Sequence, residues 1–437
     1  MSIHLRIPKS NRNRLLLVLT VALLLRLATA IYLGNTVSGL SGAQDEISYS
    51  MLGQRFASGH GMTFPSEWYP WIKPDAPQSY YSFTMSFFLA AIYKLFGYLP
   101  LAARLITGLL SVVIVWLIYR IAQMLFNDAV ALISAVIAAA YAYLIFYGVT
   151  LVTETPFILA LLTSIYISLK IVQRPTIVRW VVLGIALAIT VLLRMAVIVF
   201  VPFLLGWLVW TLGRKQILGA LIPVALIVVS ILPFSIHNYG LWGRFLLLEA
   251  QFGHVFWNGN HPDQAGDFHP YEVFPIPSEV LALDNDAAIT NRLLVMGMQN
   301  VLHDPGHFLK LTVTRLREFF TFWPTPDSTL LANAMRVFSF GIIVPFAVVG
   351  LIANLSRWRV LLPVFLFMLI HTAVYAISWT MIRYRLPLDV FLIMFAAYTF
   401  YRIGVFVQGR KPEPLLTRSL YDNPSRVNQN GHAIDTQ

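Results

Sequence analysis

The sequence contains no cysteine, and only 12% of its 437 residues are Asp, Glu, Lys or Arg. Without cysteine, the chain has no disulfide bonds, no thiolate metal ligands and no thiol nucleophile. An ordinary soluble domain carries roughly twice this share of charged residues. The scarcity of charge, combined with 58% hydrophobic residues, excludes the soluble globular classes and indicates a membrane protein.

Long apolar runs recur along the chain, and each run of 18 residues or more is long enough to cross the hydrocarbon layer as a helix. The first run has no small-residue cleavage site, so we do not expect a cleaved signal peptide. The predicted fold class is an all-α polytopic membrane protein. Its ten predicted spans are residues 15–33, 100–125, 129–147, 156–172, 177–193, 196–212, 217–235, 335–355, 360–378 and 386–407.

An eleventh apolar stretch, residues 80–97, decides the orientation of every later span. Four basic residues within 1–14 put the amino terminus in the cytoplasm by the positive-inside rule. Twelve further Lys and Arg residues face the cytoplasm if 80–97 does not cross, and all twelve move outside if it does. We therefore expect 80–97 to lie along the membrane surface. The net charge of +11 is assigned to loops that anchor on anionic lipid, not to nucleic-acid binding.

This orientation divides the chain into three regions. A cytoplasmic amino terminus covers 1–14, a transmembrane catalytic domain covers 15–407, and a polar tail rich in Pro and Asn covers 408–437. We expect the tail to be cytoplasmic and disordered. The transmembrane domain contains two large external segments, residues 34–99 and 236–334.

The same orientation gathers charged side chains from distant parts of the sequence on the outer side of the membrane. The carboxylates are Asp45, Glu46 and Glu154, and the cations are Lys73, Arg104, Arg194, Arg383 and Arg385. Arginines on the outside run against the usual bias of membrane loops. This departure is the main reason to predict a functional site there.

Each of these residues also has a structural interpretation. Asp45 is suited to N-cap a short helix over 46–58. Glu154 precedes a Thr-Pro pair in a predicted first turn, where a carboxylate gains from the helix dipole. Arg385 and Asp389 are four residues apart on one helical face and are placed to form an ion pair. Arg383 is placed to extend its charge to the lipid headgroups.

Two other features attract attention because of their chemistry. Arg26 lies in the middle of the first span, where a charge is usually functional or paired, and the sequence does not identify its partner. His254, His261 and His269 lie in the second external segment, but their spacing fits no compact pattern of metal ligands. We therefore predict no metal site on these histidines.

Five motifs carry a resemblance to a known family. They are "QDEISYSMLGQRFASGHG" from Gln44, "LPLAARLITGLL" from Leu99, "YGVTLVTETPFILALL" from Tyr147, "LPFSIHNYGLWGRFLLLEAQFGHVFWNGNHP" from Leu232 and "RYRLPLDVFLIMFAAY" from Arg383. On these motifs the chain resembles the GT-C superfamily of membrane glycosyltransferases, which take a sugar from a polyprenyl-phosphate carrier. It is most similar to bacterial members related to protein O-mannosyltransferases and to the aminoarabinose transferase of lipid A. His237 stands where the family usually has an arginine.

The resemblance implies a GT-C-like bundle of about ten transmembrane helices, with juxtamembrane helices in the first external loop. It implies that Asp45 is the catalytic aspartate, that Glu154 is the second acidic position and that Arg104 opens the second span. We add Glu46 to the catalytic candidates because its carboxylate can also act in acid–base catalysis. The predicted donor-phosphate contacts are Arg104, Arg383, Arg385, Lys73 and Arg194, because guanidinium and ammonium groups pair with phosphate oxygens. The predicted sugar or acceptor contacts are Tyr384, Trp257, Asn258 and Asn260.

The predicted reaction moves a single sugar from a polyprenyl-phosphate carrier to an acceptor hydroxyl of a protein, lipid or glycan, with inversion. We expect a bacterial inner-membrane location, with the site facing the periplasm or exterior. The chain ends soon after the tenth predicted span, which argues against transfer of a whole oligosaccharide to asparagine. We expect no cofactor; the alternative is Mg²⁺ or Mn²⁺ held by the external carboxylates.

Two other functions fit a polytopic helical protein. A transporter or lipid flippase usually has ionisable residues and broken helices near the membrane midplane, often in paired repeats. Here the polar residues gather on one predicted side, and Arg26 is the main midplane charge. A polymerase or ligase of surface polysaccharide would share the lipid carrier and transfer a whole glycan.

Overall fold

The computed structural model describes residues 9–38, 44–264, 272–326 and 328–411. Within these residues the chain is helical almost throughout, and its only β pairing consists of two isolated bridges in the first predicted external segment. Most of the predicted amino terminus (1–14) and tail (408–437), residues 1–8 and 412–437, lies outside the described residues.

Eighteen α-helices form the described part of the protein. In chain order they are α1 Lys9–Leu33, α2 Asp45–Ala57, α3 Phe83–Phe96, α4 Pro100–Leu125, α5 Asp128–Ala140, α6 Ala142–Phe146, α7 Glu154–Gln173, α8 Ile177–Leu193, α9 Val201–Leu212, α10 Ile217–Trp242, α11 Gln251–Gly259, α12 Ser278–Leu281, α13 Asp286–His303, α14 Pro305–Phe319, α15 Leu330–Arg336, α16 Ile342–Ala353, α17 Trp358–Ile377 and α18 Leu386–Val407. Short 3₁₀ turns precede α9, α10, α17 and α18.

Eight described helices are long and apolar enough to cross a membrane, which identifies the chain as an integral membrane protein. They correspond to α1, α4, α7, α9, α10, α16, α17 and α18, with the short turns that extend some of them. The two other predicted spans, 129–147 and 177–193, correspond to shorter apolar helices, α5 with α6 and α8. A total of ten spans therefore stays a prediction.

The ambiguous stretch 80–97 folds as α3, which has 14 residues. At a rise of about 1.5 Å per residue this helix is about 21 Å long, shorter than the roughly 30 Å hydrocarbon layer. It packs along α2, and a Cβ atom at Gly53 would lie 2.8 Å from Leu89 Cβ. Glycine at position 53 therefore permits this close approach of the two helices. The short length supports the expectation that 80–97 does not cross.

The main hydrophobic core is built around α18, in which residues 386–399 are buried without interruption. Around it pack α4, α5, α7 and α16. By contrast, α1 and α10 expose many leucine, isoleucine and valine side chains on their outer faces. An apolar surface of this extent requires lipid to cover it.

The structure identifies the partners of Arg26. Its Nε donates to Ser111 Oγ at 2.7 Å, and Nη1 donates to the carbonyls of Ala22 at 3.1 Å and Ala139 at 3.3 Å. The Ala139 carbonyl lies in the last turn of α5, where carbonyl groups have no partner within the helix. A cation there is also favoured by the helix dipole. Arg26 therefore stabilises the end of α5.

The absence of cysteine makes the orientation directly testable. We expect Lys73→Cys and Tyr98→Cys, which flank α3, both to react with an impermeant maleimide added outside intact cells. Lys215→Cys, between α9 and α10, should react only after permeabilisation. All three positions are exposed. If residue 98 reacts like residue 215 and unlike residue 73, α3 crosses the membrane and the proposed orientation is wrong.

Candidate active site

Asp45 is the first residue of α2. The N-cap position belongs to Gln44, which makes no side-chain capping bond. The predicted capping role of Asp45 is therefore wrong. Its Oδ2 instead accepts a charge-assisted hydrogen bond from Arg383 Nη2, and its side chain is 28% exposed. Asp45 is thus the solvent-accessible end of an ion pair between residues 338 positions apart.

Arg383 lies in the 3₁₀ turn before α18 and connects Asp45 to Glu154. Its Nε lies 3.5 Å from Glu154 Oε1, and the same oxygen accepts a hydrogen bond from Arg194 Nη2 at 2.7 Å. Glu154 begins α7, and Arg194 lies where α8 ends. The four side chains therefore form a row of alternating charge, Asp45–Arg383–Glu154–Arg194, which we call the ion chain. Its charges cancel, which offsets the cost of removing them from water.

Aromatic and hydroxyl groups hold the far end of the ion chain in place. Arg194 donates from Nη1 to the Tyr375 hydroxyl at 3.1 Å and from Nε to Thr153 Oγ1 at 3.2 Å. The Tyr384 ring lies 5.0 Å from Arg194 Cζ and 5.3 Å from Arg383 Cζ, within range of cation–π attraction to both. Tyr384 also stacks on Tyr375. These contacts fix both guanidinium groups.

A cavity of about 210 Å³ lies against the ion chain. Of the predicted site residues, Asp45, Arg383, Tyr384 and Asn258 line it. Glu154 and Arg194 lie behind this wall and reach the cavity through Arg383. Sequence reasoning missed most of the remaining lining, which includes Gln44, Tyr69, Tyr80, Tyr81, Gln251, His254 and Trp379. Their only sequence signal was a high aromatic content in the two external segments.

His254 on α11 is the cavity residue whose role differs most from the sequence analysis. Its side chain is buried, with Nδ1 2.9 Å from the Tyr80 hydroxyl, and Nε2 has no hydrogen-bond partner among the residues the structure describes. Burial lowers the pKa of His254 to about 3, so the imidazole is neutral near pH 7. A neutral ring with one unpaired nitrogen is suited to a hydroxyl-bearing ligand.

The histidines do not form a metal site in the described part of the chain. His261 stacks on Phe274 with ring centroids 4.0 Å apart, and His269 lies outside the described residues. No group of three or more His, Cys, Asp or Glu side chains placed to hold a metal ion occurs among the described residues. The two carboxylates of the ion chain are each engaged by an arginine.

Glu46 and Arg104 form a separate buried ion pair, 2.6 Å apart. Glu46 Oε1 also accepts from the Leu151 backbone N–H at 3.2 Å, and Arg104 donates to the carbonyls of Gly34, Thr36 and Val149. Burial raises the pKa of Glu46, and the charge of Arg104 opposes that shift. Neither residue lines the cavity. The pair joins α2 and α4 to the segments that follow α1 and precede α7.

Arg385 points away from Arg383 and is fully buried. Its Nε donates to Asp389 Oδ1 at 2.9 Å, and Nη1 donates to the carbonyls of Phe319 at 2.9 Å and Thr321 at 3.2 Å. Asp389 also accepts from the Tyr141 hydroxyl at 2.7 Å. This geometry matches the structural interpretation of the i, i+4 pair. A phosphate-binding role for Arg385 or Arg104 stays a prediction without support from their positions.

The other predicted contacts are also dispersed. Lys73 is exposed and pairs with Asp284 at 2.6 Å, outside the cavity. Trp257 is buried in a small core with Val280, Ile289 and Leu293. Asn260 is held by Arg315 Nη2 at 2.8 Å and by the Ile377 carbonyl at 3.1 Å. Of the three predicted contacts Trp257, Asn258 and Asn260, Asn258 alone lines the cavity. Its side chain also forms hydrogen bonds with the backbone of residues 272 and 274.

Comparison with known proteins relates this architecture to membrane glycosyltransferases. The sequence profile of the family described as dolichyl-phosphate-mannose-protein mannosyltransferase matches residues 80–239, less than half of the chain. A search of curated protein sequences finds no significant relative. The match to the profile agrees with the predicted resemblance to protein O-mannosyltransferases.

Solved structures define the fold. The oligosaccharyltransferase AglB from Archaeoglobus fulgidus, in complex with an inhibitory peptide and a dolichol-phosphate, aligns with 93% of this chain and 55% of its own, at 12% identity and a TM-score of 0.55. The same enzyme in complex with Zn and sulfate aligns with 92% of this chain and 50% of its own, at 13% identity and a TM-score of 0.54. This chain therefore spans about half the length of these neighbours. AglB is a GT-C glycosyltransferase, so the predicted GT-C-like fold is confirmed.

ArnT from Cupriavidus metallidurans in the apo state aligns with 93% of this chain and 82% of its own, at 14% identity. Its TM-score of 0.42 is too low to add to the assignment of the fold.

The two neighbouring arginines should respond differently to substitution. Arg385→Gln leaves the buried Asp389 and two carbonyls without their donor, so we expect a loss of about 3–5 kcal/mol in the free energy of unfolding. Arg383→Gln is the matched control and should destabilise less, because Asp45 is partly exposed and Glu154 keeps its ion pair with Arg194. Thermal unfolding in detergent measures both effects. An unchanged melting temperature of Arg385→Gln would contradict the structural role of Arg385.

Proposed function

We propose that the protein is a glycosyltransferase that moves a single sugar from a polyprenyl-phosphate carrier to an acceptor hydroxyl, at the outer face of a bacterial inner membrane. The observation that carries this proposal is the ion chain, which presents one carboxylate and one guanidinium group to a cavity lined by tyrosines. The profile match over 80–239 and the GT-C-like fold support it. AglB, whose structure contains a dolichol-phosphate, supports a lipid-phosphate ligand.

Asp45 is the proposed general base. The acceptor oxygen forms a bond to the anomeric carbon of the sugar while the bond from that carbon to the phosphate oxygen breaks, and the hydroxyl proton passes to Asp45. A carboxylate at hydrogen-bonding distance accelerates such a transfer by about 10²–10⁴. Direct displacement of this kind inverts the anomeric centre. Asp45 suits the role because it lines the cavity and is partly exposed.

Arg383 is the proposed phosphate-binding residue. Its Nη1 is buried and has no hydrogen-bond partner within the described residues, while Nη2 holds Asp45. A phosphate oxygen that binds this guanidinium gains a charge-assisted hydrogen bond and stabilises the negative charge that develops on the leaving group. It also competes with Asp45 for Arg383. Donor binding would therefore free the Asp45 carboxylate for the acceptor.

Glu154 and Arg194 are positioning residues in this mechanism. They do not line the cavity, and Glu154 Oε1 lies between the two guanidinium groups. Glu154 keeps Arg383 oriented when the contact with Asp45 opens. Arg194 in turn holds Glu154 in place through its hydrogen bond to Oε1. Of the predicted catalytic carboxylates, Glu46 has a scaffold role through Arg104.

The sugar is proposed to bind between Arg383 and α11. Tyr384, Asn258 and His254 line the cavity there, together with Tyr69 and Tyr80. The neutral His254 Nε2 offers one hydrogen bond to a sugar hydroxyl, and the aromatic rings offer stacking surface. Because α11 belongs to the second predicted external segment, this segment also limits the access of water, which would hydrolyse the donor.

The arrangement favours an enzyme over a transporter or lipid flippase. The ionisable residues of the ion chain lie at helix ends, and Arg26 is engaged in stabilising α5. Transporters instead place such groups on discontinuous helices at the midplane. The cavity of about 210 Å³ is smaller than typical ligand pockets of about 300–1,000 Å³, which favours transfer of a single sugar over transfer of a whole glycan by a polymerase or ligase.

The residues of the site do not fit a divalent metal ion. Asp45 and Glu154 face the guanidinium of Arg383, so the positive charge that a metal would supply is already present. We therefore expect release of polyprenyl phosphate from a polyprenyl-phosphate-linked sugar to continue at its full rate in excess EDTA. Loss of turnover in EDTA, with recovery on adding Mg²⁺ or Mn²⁺, would contradict the proposed mechanism.

Replacement of Asp45 tests the proposed base. Asp45→Asn should lower turnover by about 10²–10⁴, with a melting temperature close to wild type, because the amide oxygen still accepts from Arg383. Asp75→Asn is the matched control, since that carboxylate is exposed and pairs with Arg55 on the surface; its turnover should be unchanged. The measurement is release of polyprenyl phosphate by purified protein. Near-normal turnover by Asp45→Asn would remove Asp45 from the mechanism.

A further inference from the structure

A second concave surface, of about 700 Å³, lies beside the cavity. We call it the tryptophan groove, and its principal lining residues are Glu67, Trp68, Trp71, Trp242, Asp284 and Tyr69. They come from the first predicted external segment, the end of α10 and the turn before α13. A volume in this range is typical of sites for small organic ligands.

The three tryptophans are anchored by their indole nitrogens. Trp71 Nε1 donates to Asp286 Oδ1 at 2.6 Å, Trp242 Nε1 donates to Ser79 Oγ at 2.9 Å, and Trp68 Nε1 donates to Ser48 Oγ at 2.8 Å. Because all three N–H groups are used inside the protein, the rings can offer a ligand only their carbon surfaces. Fixed aromatic surfaces of this kind bind the C–H faces of sugar rings at little entropic cost.

Charged groups border these rings. Glu67 is exposed, and Lys73 and Asp284 form an exposed pair 2.6 Å apart. Carboxylates accept hydrogen bonds from hydroxyl groups, and a lysine ammonium donates to them. The combination of aromatic surface with exposed carboxylates is therefore complementary to a polyhydroxylated ligand, and poorly suited to an acyl chain.

Tyr69 connects the tryptophan groove to the active-site cavity because it lines both. Its ring contacts Tyr80 and His254 edge-on, with centroids 6.4 and 5.6 Å away. A ligand in the groove is thus separated by one side chain from the cavity that Asp45 lines. A hydroxyl that extends past Tyr69 would enter the cavity that Asp45 and Arg383 also line.

We infer that the tryptophan groove binds the acceptor, and that the bound part of the acceptor is a saccharide. This inference rests on the proposed function, because it assigns the second substrate of the same site. The saccharide stacks on the indole rings, bonds Glu67 and Asp284 through its hydroxyls, and presents one hydroxyl to Asp45.

The backbone of the groove argues against a peptide acceptor. Extended peptides bind mainly through main-chain hydrogen bonds to unpaired backbone groups. In the segment that lines the groove, Trp68 and Ile72 exchange both of their backbone hydrogen bonds at 2.8 Å, and the Asp75 N–H bonds the Phe64 carbonyl at 2.7 Å. These groups are not available to a peptide strand.

The test compares two rates in the full-length purified protein, supplied with a polyprenyl-phosphate-linked sugar. The first is the release of polyprenyl phosphate to water alone. The second is the release after adding one of three probes: delipidated cell-envelope oligosaccharides, the intact glycolipid fraction, or tryptic peptides of surface proteins. We expect the oligosaccharides to stimulate release. Equal stimulation by the glycolipids would identify a glycolipid headgroup as the source of the saccharide, and stimulation by the glycolipids alone would show that the lipid is required, contrary to the inference.

Substitutions in the tryptophan groove test whether the stimulation by oligosaccharides depends on this surface. Glu67→Gln, Asp284→Asn and Trp242→Leu should each raise the oligosaccharide concentration needed for half-maximal stimulation by about 10-fold or more, the effect of losing one hydrogen bond to a charged group or one stacking surface. Release to water should be unchanged in all three. Trp210→Leu is the matched control, because Trp210 is exposed, stacks on Trp358 and does not line the groove.

The outcomes separate this inference from the proposed function. Stimulation by the peptides, stimulation by no probe, or stimulation that the three groove variants leave unchanged would overturn the saccharide groove. The proposed function fails by a different result, which is an absence of release in water and with every probe, or release that Asp45→Asn does not reduce.

Discussion

The packing of this protein depends on compensating the free energy that is lost when a guanidinium group is removed from water. Arg26, Arg104 and Arg385 are almost completely buried, and each is engaged by carbonyl oxygens, a hydroxyl or a carboxylate that join separate helices. In these places the arginine acts as a crosslink between segments that hydrophobic packing alone would leave free to slide. Arg383 is held in the same way by two carboxylates, but it also lines the cavity, and its Nη1 has no hydrogen-bond partner in the part of the chain that the structure describes. The chemistry of the site depends on that difference.

Counting spans and basic residues predicts that charged residues from distant parts of the sequence share one side, because a membrane-spanning chain has only two sides. Four of them, Asp45, Glu154, Arg194 and Arg383, form the ion chain. The others, Glu46, Lys73, Arg104 and Arg385, form ion pairs elsewhere. The sequence could not predict the direction of each side chain. Asp45 and Glu46 are neighbours on α2, where successive side chains point about 100° apart. One therefore faces the cavity and the other faces Arg104.

The same limitation applies at the carboxyl end of the site, where Arg383 lines the cavity and Arg385 does not. Arg383 and Arg385 are separated by one residue in a 3₁₀ turn, and they leave that turn in different directions. The aromatic lining was beyond prediction for another reason. Tyr69, Tyr80 and His254 come together through packing between the two predicted external segments, and hydrophobic periodicity carries no information about such contacts. Within α11, Gln251, His254, Val255 and Asn258 line the cavity, and the predicted contact Trp257 lies in a small core instead.

The cancelling charges of the ion chain have a consequence for the turnover cycle under the proposed mechanism. A sugar phosphodiester carries one negative charge, whereas the phosphate monoester left after transfer carries nearly two. The proton captured by Asp45 compensates the extra charge, so the total within the site is constant through the bond exchange. Once that proton escapes to water, the ionised Asp45 regains its attraction for Arg383 and repels the spent lipid phosphate. Deprotonation would then act as the step that resets the enzyme and expels its product.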